Sequence, residues 1–264
     1  MGAADFTCSN PRDVIECADL VDRGGIVIFP TDTVYGIGCD PSNESSIIKL
    51  YKLKNRPLTK TLPLLTFSQS MISEVAQISE PARKLMDSFW PGQLTIILNS
   101  LDNRNIKLSK YVFDEINQSI ALRIPGNECI QKLIEATKTK FLVGTSANIS
   151  SYPSSNKFSQ LDPNLVSKCD AVMHNHRIMG SEEHFHSTNV GRKDMTTKKT
   201  TTAASNIASS DVLSSISTKD VFQIENERNG ESTIIDLTNE QNPRIVRQGV
   251  VPKNKIIEAL KIAS

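Results

Sequence analysis

Apolar side chains along the first 173 residues fall into two spacings, helical in some segments and contiguous in others. The clearest contiguous run, Ile26 to Phe29, is short and β-branched, which predicts a buried strand. Pro30 ends it, because proline cannot donate to a sheet ladder. Ahead of it, Asn10 caps a predicted helix with Pro11 at its first position. Val14, Ile15, Ala18 and Val21 line one face of that helix, and Gly24-Gly25 ends it. Ser45 to Leu53 predicts a second helix, with Ile47, Ile48, Leu50 and Tyr51 facing the core and Pro57 closing it. A third runs from Ser79-Glu80-Pro81 to just before Trp90, and a fourth from about Glu128 to Thr137. Strands are predicted at Leu62–Phe67, Leu94–Leu98, Ser119–Ile124 and Phe141–Val143. This alternation is that of an α/β domain.

After Met173 the pattern lapses. Residues 187–221 contain no aromatic side chain, and 12 of the 23 residues from Thr196 to Thr218 are Ser or Thr. Such a segment buries too little apolar surface to offset its ordering entropy, so 174–230 is expected to be a flexible, low-complexity insertion. A weak helix at Asp211–Ile216 is the competing reading. Strand-like runs return at Ser232–Thr238 and Arg244–Arg247, followed by a helix from Pro252 to Ile262. These late elements are too few to stand alone. Residues 1–173 and 231–264 are therefore expected to share one sheet and one domain.

Charge narrows the class further. Thirty basic and 29 acidic residues leave a formal charge of +1, which argues against a general nucleic-acid or membrane-surface protein while admitting a local basic cleft. No apolar run reaches the roughly 20 residues that span a bilayer. The N-terminus has neither a secretory pattern nor, with Phe6 at the sixth position, a myristoylation signal. The five cysteines, at 8, 17, 39, 129 and 169, are odd in number and form no CxxC pair. They read as reduced thiols of a cytoplasmic protein.

Candidate chemistry gathers where predicted strands and helices end. The strand at 26–29 runs into Thr31-Asp32-Thr33, and open α/β sheets place ligands at such ends, although an ordinary strand-to-turn junction has the same pattern. Lys54 and Arg56 leave a helix two residues apart, so in an extended segment they face one anion together; a solvated helix terminus is the alternative. Ser146 and Asn148 follow the strand at 141–143 and offer a hydroxyl and an amide on one side, or else form a turn or cap. Arg123 is the one charge in the apolar run IALRIP and requires an anionic partner, from the protein or from a ligand.

Taken together these residues resemble the YrdC/Sua5 family, the threonylcarbamoyl-AMP synthases of tRNA modification. The resemblance rests on FPTDTVYG at 29–36, KNRP at 54–57, LPLL at 62–65, WPG-x-LT at 90–95, LRIP at 122–125, TSANIS at 145–150, STIIDLT at 232–238 and RIVRQG at 244–249. It implies a three-layer YrdC-like α/β fold, a twisted mixed sheet flanked by helices with a positively charged concave cavity. It also implies an enzyme that joins L-threonine, bicarbonate and ATP, with Mg²⁺ accompanying the nucleotide, into threonylcarbamoyl-AMP and pyrophosphate. Downstream threonylcarbamoyl-transferase proteins and a tRNA contact are the implied partners, with no membrane.

Residue by residue, the resemblance assigns Lys54 and Arg56 to catalysis at the α-phosphate and carbamate. It assigns Thr33, Arg123, Thr145 and Ser232 to threonine, and Lys60, Ser146, Asn148, Ser154 and Arg247 to the nucleotide beside Lys54 and Arg56. Asp32 is expected to shape its loop. Gln93, Thr61 and Gln248 stand where relatives often have proline (or, at 61, glycine), and Ser151 where glycine is common. Sua5 proper has a further C-terminal domain, so the single-domain YrdC type is the nearer expectation. His174, His176, His184 and His186 lack acidic or Cys partners at zinc spacing and are expected in a lid near the ATP cavity, not in a metal site. The rival readings are a non-catalytic RNA-binding module using the same basic cavity, and a carbamoyl-adenylate step of the hydrogenase-maturation kind.

Overall fold

A computed structural model describes residues 2–102, 106–175 and 230–261. In chain order its elements are β1 (Ala4–Thr7), α1 (Pro11–Asp22), β2 (Val27–Phe29), β3 (Gly36–Cys39), α2 (Glu44–Leu53), β4 (Leu64–Leu65), α3 (Gln69–Ile72), α4 (Glu80–Phe89) and β5 (Leu94–Asn99). There follow β6 (Phe113–Asp114), β7 (Ser119–Arg123), α5 (Glu128–Ala136), β8 (Leu142–Ser146), α6 (Pro163–Val166), β9 (Ala171–His174), β10 (Thr233–Asp236), β11 (Arg244–Arg247) and α7 (Lys253–Lys261). The helices start where side chains can satisfy their first amides. Asn10 accepts from the Arg12 amide, Asn43 from Ser46, Ser79 from Ala82, and Asn127 from Cys129 and Ile130.

The strands form one mixed sheet in the order β1-β9-β2-β3-β8-β4-β7-β5-β10-β11, with β6 paired to β7. Strand periodicity sorts the core onto its two faces. Val27 and Phe29 of β2 pack with α1 and α5 around Val14, Cys17, Ile130 and Leu133. Ile26 and Ile28 point the other way, into a cluster with Ile47, Leu50 and Tyr51 of α2. At the far end of the sheet, α4 and α7 cover β5, β7, β10 and β11 through Leu85, Met86, Ile96, Leu122, Ile235 and Ile256. The late strands do complete the first sheet, β10 pairing in parallel with β5 from Thr233↔Leu94 to Asp236↔Ile97.

Several expectations need correction. β1, β3 and β9 were not anticipated, and the strand expected to end at Val143 continues through Ser146 because β8 pairs with β3 as far as Gly36↔Ser146. Cys8 and Cys129 are joined as a disulfide, against the expectation of five reduced thiols. The cause is tertiary: the exit of β1 meets the first turn of α5, bringing Cα atoms 121 residues apart in sequence to 5.3 Å, within bridging range. Cys17, Cys39 and Cys169 are free and buried. Burial pushes the thiols of Cys17 and Cys169 up to about 12 and that of Cys39 higher still, with Asp13, Asp170 and Asp40 respectively adding to the effect.

His174 belongs to β9. It is buried, with Nε2 3.1 Å from the Asp5 carboxylate and its ring edge-on to Phe158. The low-complexity run, its competing helix, and His176, His184 and His186 lie outside the described residues. Among the described residues no helix is long and apolar enough to cross a membrane.

Candidate active site

β2, β3, β5, β7, β8, β10 and β11 contribute to the walls of a cavity of about 340 Å³, together with the segment from Arg56 to Pro63. That volume lies within the range of small-molecule pockets, roughly 300–1,000 Å³. Glycine sets the floor: a Cβ at Gly36 would come within 2.3 Å of the Phe29 ring, and one at Gly144 within 2.3 Å of Leu65. Among the described residues the lining holds Arg56, Lys60, Arg123 and Arg247 against one carboxylate, Glu231.

Lys54 and Arg56 do not face an anion together. Lys54 caps the C-terminus of α2 in a helical conformation, and Asn55 then turns left-handed at φ 50°. This helix ending sends successive side chains apart. Lys54 is 2% exposed and does not line the cavity; its Nζ donates to the carbonyl oxygens of Ser146 and Asn148 and, at 3.3 Å, to Asn148 Oδ1. Arg56 does line it. Its Nη2 donates to the Thr61 carbonyl at 2.8 Å and its Nε to that of Lys60 at 3.2 Å. Lys60 is exposed at the same rim.

Ser146 and Asn148 divide similarly. Thr145 and Ser146 end β8 and reach the cavity. Asn148 is buried behind the wall: its Oδ1 accepts from the Ser146 hydroxyl, and its Nδ2 donates to the Tyr152 carbonyl. Tyr35 fixes this loop from the other side, its carbonyl accepting from the Ala147 amide at 2.7 Å and its own amide donating to Ser155 at 2.8 Å. Ser154 is half-buried in the loop and is not part of the lining.

The partner that Arg123 required is Asp32. Arg123 Nη2 lies 2.7 Å from Asp32 Oδ1, its Nη1 donates to the Thr33 hydroxyl at 3.2 Å, and its Nε to the Gly92 carbonyl at 2.8 Å. Burial pulls the arginine's pKa down, and Asp32 opposes that pull. Asp32 thus shapes its loop by an ion pair, with Gln93 Nε2 holding its carbonyl at 2.8 Å. Thr33, in the lining, shares a hydrogen bond with Thr31 at 2.9 Å.

Ser232 and Arg247 form the last wall. Ser232 Oγ is 2.9 Å from the Thr95 hydroxyl and accepts from Arg247 Nη2 at 3.0 Å. Arg247 also reaches the Ser232 carbonyl, through Nε at 3.0 Å and Nη2 at 2.8 Å, and its Nη1 pairs with the Glu231 carboxylate. The structure therefore brings Thr33, Arg56, Lys60, Arg123, Thr145, Ser146, Ser232 and Arg247 into one lining and leaves Lys54, Asn148 and Ser154 outside it. The sequence reading did not assign Thr95 and Glu231, although both lie in or beside quoted motifs. Thr95 closes WPG-x-LT, and Glu231 directly precedes STIIDLT.

A mixed, twisted sheet flanked by helices, with a cavity on the face of β5, β7 and β10 turned away from α4 and α7, where Thr95, Ile97, Ala121, Arg123 and Ile234 point, defines an α/β ligand-binding domain. The family model Sua5_yciO_yrdC, described as "Telomere recombination", matches residues 19–185, and the chain belongs to this family. Among solved structures, Sua5 from P. abyssi complexed with L-threonine superposes with a TM-score of 0.70 at 22% identity, covering 99% of this chain and 61% of that one. YciO from E. coli gives 0.66 at 19% identity, covering 95% and 97%. Full-length HypF in a phosphate- and nucleotide-bound form gives 0.52 at 16%, covering 61% and 20%. These likenesses are of fold. The chain spans about three fifths of the Sua5 chains it matches, 60% and 61%.

Proposed function

We propose that this chain is an L-threonylcarbamoyladenylate synthase. In the reaction, the threonine amine and bicarbonate condense to a carbamate with loss of water. A carbamate oxygen then attacks the α-phosphorus of ATP, the bond to the bridging oxygen breaks, and pyrophosphate leaves. The product would supply the threonylcarbamoyl group for adenosine 37 of ANN-decoding tRNAs through separate transferase proteins.

One observation carries the reading: hydroxyls and cations from sequence-distant segments converge on one cavity, Thr33, Arg123 and Ser232 among them together with Arg56, Lys60 and Ser146. An anionic carbamate approaching a polyphosphate needs positioning and charge neutralisation above all. Arg56, held by the Lys60 and Thr61 carbonyls, and the exposed Lys60 supply positive charge at one rim. Thr33 and Ser232 supply hydroxyls where Arg123 and Thr95 already orient them. Lys54 and Asn148 act as positioning residues, holding Ser146 from behind. Family membership and the fold shared with a threonine-bound Sua5 support the same reading. Among the described lining residues the one carboxylate, Glu231, is engaged by Arg247, a donor set that fits Mg²⁺ carried on nucleotide phosphates and water better than an ion held by the protein.

The test is threonine-dependent release of pyrophosphate from ATP in the presence of bicarbonate. Release that requires all three substrates is expected. A folded chain that releases none and instead binds RNA tightly would overturn the synthase in favour of an RNA-binding module.

A further inference from the structure

The loop that carries Thr33 into the cavity is tied within itself by the Thr31 hydroxyl, which donates to the Val34 carbonyl at 2.6 Å and accepts from the Thr33 amide at 3.1 Å. Arg123 holds it from β7, but the ion pair uses one carboxylate oxygen: Asp32 Oδ2 is buried and has no hydrogen-bond partner among the described residues. A pair made through one oxygen lacks the fixed geometry of a two-pronged one and can pivot. Gln93 supplies a second point of attachment, its Nε2 donating to the Asp32 carbonyl at 2.8 Å. The same residue serves the opposite wall. Its carbonyl accepts from the Thr233 amide at 3.1 Å, next to Ser232, and two residues on Thr95 meets the Ser232 hydroxyl at 2.9 Å. Gln93 is itself well founded, since the neighbouring Gly92 donates to the Ile124 carbonyl at 2.8 Å and accepts from Arg123 Nε at 2.8 Å.

We propose that Gln93 is a positioning residue for the amino-acid end of the cavity: its side-chain amide and its carbonyl hold Thr33 and Ser232 at one spacing, so that a single amino acid can meet both hydroxyls. That this amino acid is L-threonine rests on the synthase reading. Gln93 lies outside the lining and acts through Asp32 and Thr233. Without the side-chain amide, the loop would turn about the Arg123 pair and carry the Thr33 hydroxyl with it. Hydrogen bonds weaken steeply with such misalignment, so binding at this end would suffer. The rim at Arg56 and Lys60 stands on a different segment, with its own bonds to the Lys60 and Thr61 carbonyls, and would keep its geometry.

The test is calorimetric titration of the full chain with L-threonine and, separately, with ATP, for the unmutated protein, Gln93→Met and Gln93→Glu. Methionine keeps the length without a donor; an ionised glutamate keeps the shape but can only accept. The main-chain bond to Thr233 survives both substitutions, so the comparison isolates the arm to Asp32. L-Threonine should bind about fivefold more weakly to Gln93→Met, the loss expected for one ordinary hydrogen bond, and about tenfold or more to Gln93→Glu, which sets a charge against the Asp32 carbonyl. ATP affinity should move less than twofold in either, which also shows that the variants are folded. The KM for threonine should rise in step with its Kd. Unchanged threonine affinity in Gln93→Met, or an equal weakening of ATP, overturns this inference alone. The expected variant pattern in a chain whose unmutated form releases no pyrophosphate overturns the synthase reading alone. An unmutated chain that binds no L-threonine overturns both.

Discussion

Lys54 and Asn148 are joined behind the cavity wall, the lysine ammonium 2.6 Å from the asparagine carbonyl oxygen and 3.3 Å from its side-chain oxygen. The loop that presents Ser146 is therefore fastened to the end of α2 by a buried charge. Arg56, two residues on, stands on the cavity side of the same turn. Lysine and arginine of one motif thus have different physical tasks, and substitution should separate them.

Lys54→Met should lower stability by about 1–3 kcal/mol, the usual cost of leaving buried acceptors unpaired, and should also depress turnover because Ser146 loses its support. Arg56→Ala should abolish pyrophosphate release while lowering stability by about 2 kcal/mol or less, about 1 kcal/mol for each of its two hydrogen bonds to the Lys60 and Thr61 carbonyls. Denaturant midpoints and turnover measured on the same samples check both. A large stability loss in Arg56→Ala would make it a structural residue.

Ser151 adopts φ 74°, in the left-handed region that L side chains disfavour. Ser151→Gly should raise stability by about 1 kcal/mol, the steric penalty relieved there. Ser151→Val should lower it. Thermal unfolding of the pair gives the sign, and destabilisation by glycine would contradict the strain argument.

Gly249→Ala places a methyl against the backbone of Glu231 and Ser232, with contacts of 2.3 and 2.6 Å before relaxation. Backbone cannot yield as a side-chain tip does. A loss of about 1–3 kcal/mol, typical of overpacking, is expected, together with weaker L-threonine binding. Calorimetric titration with threonine reads the second effect.

Thiol counting tests the cysteines. Unfolded without reductant, the chain should present three reactive thiols, those of Cys17, Cys39 and Cys169, and after reduction five. In the native state those three should alkylate slowly, since burial disfavours their thiolates. Their folded pKa values lie above the unfolded value, so the folded state binds more protons at high pH. Stability should be full below about pH 8.5, the free thiol value, and fall as pH rises toward about 12 for Cys17 and Cys169. Urea midpoints between neutral and alkaline pH measure the slope.

What the sequence could disclose follows from how local each signal is. β2 was legible because Ile26 to Phe29 is buried on both faces and so apolar without a break. β3, with glycine at 36 and 38, carries no such run; its pairing with β2 and β8, and the close approach of Phe29 to Gly36 and of the Val143 carbonyl to Gly38, make it a strand. β1 is an edge strand with two exposed residues among its four, and it becomes a strand through its pairing with β9. The motifs named the right stretches for the site, yet the directions of Lys54 and Asn148 depended on a left-handed Asn55 and on a loop pinned by Tyr35. The departures are now physical: Gln93 holds Asp32, Thr61 accepts from Arg56, and Gln248 Nε2 bonds the carbonyls of Gly249 and Val251.

The parallel pairing of β10 with β5 has a consequence for synthesis. The ribosome delivers β5 long before β10, so a nascent chain holds the Leu94–Asn99 edge unpaired until Thr233–Asp236 emerges. Until then the cavity lacks Ser232 and Arg247 altogether, and an open apolar strand edge invites the wrong neighbour. A message truncated ahead of residue 231 would thus yield not a weak enzyme but a sticky fragment, and the cell would meet the defect first as aggregation.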